Sequence, residues 1–265
     1  MSTLVHGRHQ LAQPFAAALR SERIKLTTVR STWWTLAAMV VIGAGGTTLI
    51  CAFNADWLAS SSADESAGSF ITWGMMIAQV CAIVLGALAI TGEYGTGMIR
   101  STLAATPIRG RVLAAKAFVL ATVLFVAGTA TALLGYAGGN YFLDREGIGM
   151  ALEGDVAQSM YGNGLYMAGL GLFAAAVGFI LRHTAATLSA VLALMLVVTN
   201  MALLIPGDTG RWITKLMPAN AGSVVATPVP FNPFLLDAWA GFGVFVAEIT
   251  ALVLVAWLVL RRRDA

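Results

Sequence analysis

Apolar residues run along this chain in long uncharged blocks separated by shorter polar stretches. At a 1.5 Å rise per residue, about twenty helical residues cross a hydrocarbon core of about 30 Å. The blocks at 33–53, 70–90 and 241–260 each predict one such span. The block at 114–142 predicts another, long enough to tilt or to project from the bilayer. Residues 161–205 are nearly continuous apolar sequence that as one helix would run roughly twice the core thickness, so it must fold back. Its one charged interruption is Arg182 beside His183, which places a tight turn there and predicts spans at 161–181 and 185–205. Residues 206–240 carry Pro206, Pro218, Pro228, Pro230 and Pro233 yet stay apolar, which predicts short helices dipping into the outer leaflet rather than a full crossing.

Composition agrees with the pattern. The 265 residues are 58% hydrophobic and 11% charged with mean hydropathy +0.79, whereas soluble domains carry about 25% charge. The fold class expected is an all-α polytopic membrane protein. A net charge of +3 suggests nucleic acid only if the basic residues sit on a solvated domain, and none exists here. Instead the basic residues sort by side. Thirteen of the 16 Lys and Arg fall before the first span, between the second and third, at Arg182 and at the C-terminus. Nine of the 13 acidic residues fall in the alternate segments. The positive-inside rule then puts both termini in the cytoplasm of a plasma-membrane protein. The first thirty residues lack an h-region and cleavage site, so the first block reads as a retained anchor. Cys51 and Cys81 lie inside predicted spans and do not make a disulfide framework.

Residues 1–32 read as a cytoplasmic tail ending in an interfacial elbow helix. Phe15, Leu19, Leu26 and Val29 fall near one helical face, with Arg20, Glu22, Arg23 and Lys25 largely elsewhere. Arg20, Arg23, Lys25 and Arg30 are then expected to meet anionic lipid, with Trp33 and Trp34 in the aromatic belt. Near the far end of the third span, Gly135 and Gly139 form the G-x-x-x-G spacing that permits close helix approach, including dimerisation.

Several chemistries are absent. There is no phosphate-binding P-loop, and Lys116 has no glycine cradle before it. No zinc-protease, Cys-x-x-Cys or nucleophile-elbow motif occurs, and with His6, His9 and His183 the only histidines, no metal site is expected. The chain is not expected to be an enzyme or to hold a cofactor. Glu248, inside the sixth span, is the one ionisable candidate for a substrate path; its alternative is a protonated or hydrogen-bonded packing residue. His183 in a short turn reads as solvated rather than as a proton relay.

One stretch, AITGEYGTGMIRSTLAATPIRGR at 89–111, interrupts the apolar pattern with charges, glycines and a proline. It is too polar for a bilayer core and too rich in helix formers for a plain linker, so 92–112 reads as a cytoplasmic coupling element. With SERIKLTTVRSTWWTL at 21–36, the run 90–116 and MPANAGSVV after the fifth span, it resembles the permease subunits of bacterial ABC-2 type transporters, especially stand-alone six-helix permeases encoded with a separate ATPase. That resemblance covers essentially the whole chain. It implies an elbow helix, a coupling helix between the second and third spans, and re-entrant helices before the sixth, with 261–265 as a cytoplasmic C-terminus.

Glu93, Tyr94, Gly97, Arg100, Thr102, Leu103 and Pro107 fall on the family's motif. Glu93 and Arg100 are expected to make charged contacts with an ATPase groove that Met98, Ile99 and Leu103 fill. The partners implied are two ATPase subunits, which carry ATP and Mg, a second copy of this permease or a similar one, and membrane lipid. The function implied is export of hydrophobic or amphipathic compounds: drugs, antibiotics, peptides or lipids. The rival readings are an ion-gradient-driven carrier and a non-transporting scaffold or sensor.

Overall fold

The computed structural model describes residues 15–98 and 109–262. Among them every regular element is helical. In chain order these are α1 (Phe15–Thr28), α2 (Arg30–Ala59), α3 (Ala67–Phe70), α4 (Met75–Gly95), α5 (Arg109–Arg145), α6 (Gly154–Leu181), α7 (Thr184–Ala202), α8 (Gly207–Leu216), α9 (Pro218–Ser223) and α10 (Ala238–Arg262). Six stretches are long and apolar enough to cross a membrane: α2, α3 with α4, α5, α6, α7 and α10. The number and order of spans match the sequence pattern.

Helices overrun the apolar blocks. Span one continues past residue 53 to Ala59, because Asn54 satisfies its amide on the carbonyl of Ile50 one turn back and so does not end the helix. It stops at Ser60, whose hydroxyl turns back to the Trp57 carbonyl at 2.6 Å. α6 likewise starts at Gly154, not near 161, and α10 at Ala238. With 37 residues, α5 is roughly 55 Å long and outlasts a hydrocarbon core by several turns.

The core is built around α6, which is buried along most of its length against α4, α5 and α10. Close approach depends on glycine. A Cβ on Gly86 of α4 would strike the Gly171 carbonyl, and one on Gly162 the Val225 carbonyl. Gly135 and Gly139 supply the close helix approach that their spacing permits, and they do so within the chain. Both face the chain's own neighbours, with Gly135 against Ala44 and Thr47, and Gly139 against Cys51 and Ile71.

Two local departures carry information. The turn expected at Arg182 is there, with Arg182 in the left-handed region (φ 55°) and His183 accepting the Ala186 N–H on Nδ1, so its ring caps α7. Inside α7, residues Ala193–Val198 wind as a π-helix, and the Thr199 hydroxyl donates to the carbonyl of Leu194 at 2.9 Å. The proline-rich stretch forms α8, α9 and a 3₁₀ turn at Val224–Ala226, followed by irregular chain to 237.

Candidate functional site

Four charged side chains from three helices meet where α4 ends and α5 begins. Glu22 and Lys25 sit one turn apart on α1, Glu93 lies in the last turn of α4, and Lys116 lies two turns into α5. Lys116 Nζ is 2.6 Å from Glu22 Oε2 and 2.8 Å from Glu93 Oε1, and also donates to the Ala89 carbonyl at 3.3 Å. Lys25 Nζ is 2.8 Å from Glu22 Oε1 and 2.9 Å from Glu93 Oε1. Three of the four side chains are 5–6% exposed and Lys25 24%. Charges so buried persist only when paired and hydrogen-bonded, and here two positive and two negative groups balance. Burial pulls the Lys25 ammonium down, but Glu22 and Glu93 outweigh it and hold it above the ordinary lysine value.

This arrangement corrects the reading of α1. Lys25 faces the charge cluster with Glu22 rather than lipid, because α4 and α5 present a complementary Glu and Lys to that side. Arg20, Arg23, Arg30, Trp33 and Trp34 remain exposed. Glu93, expected to meet an ATPase directly, is buried among the chain's own lysines.

The next residue, Tyr94, reaches the other side of α4. The Arg182 guanidinium lies 5.1 Å from its ring centre, and Phe179 packs edge-on to the same ring. One turn back, the Thr184 hydroxyl donates to Thr91 at 2.8 Å. The end of α4 is thus tied to α1, to α5 and to the α6–α7 turn. α4 closes with Gly97 at φ +71°, where glycine adopts the left-handed region without strain, and Met98 is exposed. Ile99, Arg100, Thr102, Leu103 and Pro107 lie outside the described residues.

Two cavities flank α4. One, of about 310 Å³, adjoins the charge cluster between α1, α2 and α4. The other, of about 380 Å³, opens at the opposite end of α4. Gln79 there and Glu93 are 14 residues apart, roughly 21 Å along the helix. Its walls include Gln79 of α4, Asn163 and Tyr166 of α6, Met195 and Leu196 in the π-helical turn, and Asn220 of α9, with no charged side chain among them. Tyr166 donates to Gln79 Oε1 at 2.8 Å, and Asn163 bridges to the Ala226 carbonyl at 2.7 Å. Ser69 lines the same space with a buried hydroxyl that has no partner among the described residues.

Glu248 is half-buried on α10 with Oε2 unpartnered among the described residues, and it lines neither cavity. No group of three or more metal-ligating side chains occurs among the described residues. Sequence reasoning missed the partnership of Glu22 with Lys116 and the polar wall of Gln79, Asn163 and Tyr166. The available signal was local: single amides and acids inside or beside apolar blocks, which need a partner to be buried. A comparison with protein-family models finds no match, and a search of curated proteins finds none either.

Proposed function

We propose that this chain is the membrane permease subunit of an ATP-binding cassette exporter for hydrophobic or amphipathic compounds, driven by a separate ATPase. The observation that carries the reading is the buried charge cluster with its aromatic neighbour. Glu93 and Tyr94 join α1, α5 and the α6–α7 turn directly before the segment 99–108. A push on that segment reaches four elements at once. α4 then relays it as a rigid rod to the uncharged cavity roughly 21 Å away, where the π-helical turn of α7 forms a wall that can rewind. The uncharged but hydrogen-bonding wall suits a neutral or amphipathic cargo.

In this reading two permease copies pair about a two-fold axis over two ATPase subunits, each offering one groove to one coupling segment. ATP binding and Mg belong to the ATPase. The basic side, with both termini, faces the cytoplasm of the plasma membrane. α1 lies along that interface as an elbow, and α8 and α9 re-enter the opposite leaflet.

The test is reconstitution with the candidate ATPase. Arg100→Glu with Leu103→Ala is expected to release the ATPase. Tyr94→Ala and Arg182→Ala are expected to keep it bound while ATP-driven flux falls at least about tenfold. Flux that continues without ATP and stops when the proton gradient is collapsed would overturn the proposal in favour of a gradient-driven carrier.

A further inference from the structure

The geometry points to a phosphate site for an anionic phospholipid, phosphatidylglycerol, in the corner between α7 and α8, at the end of α7 away from Arg182. Gly207, at φ +81°, turns the chain from α7 into α8, and the two elements approach so closely that a Cβ on Gly210 would strike the Ile205 carbonyl. α8 then presents three faces. Gly210 and Thr214, one turn apart, are buried against the chain. Trp212 and Leu216, also one turn apart, are exposed and apolar. Asp208, Arg211 and Lys215, at i, i+3 and i+7, make a charged third face. A helix with one face on protein, one apolar and open, and one charged belongs where bilayer meets water.

In that corner lies a cavity of about 150 Å³. It is smaller than a drug-sized site and suits a single headgroup phosphate. Every polar side chain lining it brings a donor. Arg211, 59% exposed, gives one N–H to the Asp208 carboxylate at 3.3 Å and makes no other hydrogen bond among the described residues, and its guanidinium is steadied 4.9 Å from the Phe234 ring centre. Asn232, also exposed, accepts the Phe234 N–H on Oδ1 at 2.9 Å, which fixes the amide and leaves its NH₂ to donate. Thr214 adds a hydroxyl, and no acidic side chain lines the space. Donors gathered around one cation select an oxyanion, which a guanidinium holds through paired, charge-assisted bonds. Leu203, Ile205 and Phe234 complete the wall, so the oxyanion best suited to it is carried on an apolar group, as a lipid phosphodiester is. An ethanolamine or choline headgroup fits less well. Asp208 already holds Arg211, and the Phe234 and Trp212 rings already carry the Arg211 and Lys215 cations, so an ammonium finds neither a spare acid nor an unoccupied ring. Phosphatidylglycerol brings the phosphate without the ammonium. This site requires only that the chain lie in a bilayer and is independent of the transport reading.

The experiment is native mass spectrometry of the full chain released from nanodiscs containing equal phosphatidylglycerol, phosphatidylethanolamine and phosphatidylcholine. One phosphatidylglycerol per chain should be retained at least about tenfold over either zwitterionic lipid. Arg211→Gln should abolish that preference. So should Asn232→Asp, which keeps the Oδ1 acceptor for the Phe234 N–H and replaces the donor by a carboxylate. Lys215→Gln removes the same charge from the same helix but outside the cavity, and should change retention by no more than about twofold. That comparison separates a site from the general pull of a basic surface. A second series adds millimolar inorganic phosphate to the wild-type nanodiscs and should leave the retained lipid unchanged, which separates a lipid headgroup from a free phosphate. Equal retention of the three lipids, no retained lipid, retention undiminished by Arg211→Gln or Asn232→Asp, an equal loss on Lys215→Gln, or displacement by inorganic phosphate would each overturn the assignment.

Discussion

Replacing Lys116 by Met tests the charge cluster most sharply. At an effective dielectric of about 20, opposite charges at the observed 2.6 and 2.8 Å attract by roughly 6 kcal/mol each. Desolvation costs several kcal/mol per ion, so the intact cluster is close to break-even. Removing one cation is a different matter. Glu22 and Glu93 would then share Lys25 alone, leaving a net negative charge in a site where both carboxylates are about 5% exposed. Breaking a buried pair in this way costs about 3–5 kcal/mol. At about 2–4 °C per kcal/mol for a chain of this size, the unfolding midpoint should drop by roughly 10 °C.

The assay is tryptophan fluorescence during heating in nanodiscs, comparing wild type, Lys116→Met, Glu22→Gln and the double variant. Because Lys116→Met with Glu22→Gln restores neutrality, the double variant should recover at least half of the loss. A single-variant shift under about 3 °C, or losses that simply add in the double variant, would refute the reasoning.

The other predictions are independent of that result. Gly86→Ala should destabilise by about 1–3 kcal/mol through overpacking against the Gly171 backbone, whereas Gly92→Ala, in open space, should be neutral or stabilise by up to about 1 kcal/mol; paired melts separate the two. Lys25 sits above its ordinary value of 10.5, so its stabilisation is complete below that pH and is lost as pH rises through the higher folded value. The stability difference between wild type and Lys25→Met should therefore shrink above about pH 10.5 and stay constant from pH 7 to 9. Tyr166→Phe removes the donor to Gln79 Oε1 and should cost about 1–3 kcal/mol, read by the same melts.

Legibility followed the range of each interaction. The reversal at Arg182 could be read because a charge cannot lie mid-way along a 45-residue apolar run without ending a span. Ends of helices were less legible: Asn54 looks like a terminator until its amide is seen bonded to Ile50 within the helix. The inward side of α1 was misread because amphipathicity was judged from α1 alone, while Lys25 answers to Glu93, 68 residues away.

From the order of residues alone follow six membrane-length helices, their sequence along the chain, the fold-back between the fourth and fifth, and the sorting of positive charge. These depend on the transfer of each local segment into apolar surroundings, which needs no knowledge of its neighbours. Tertiary structure decided that Glu22 and Lys116, 94 residues apart, share a buried bridge, that Gly135 and Gly139 serve α2 inside the chain, that α7 carries a π-helical turn, and that Glu93 is buried against Lys25 and Lys116. The charge cluster and the glycine contacts arise from how helices are placed against one another, and the energy of a buried charge depends on that placement rather than on residue type alone.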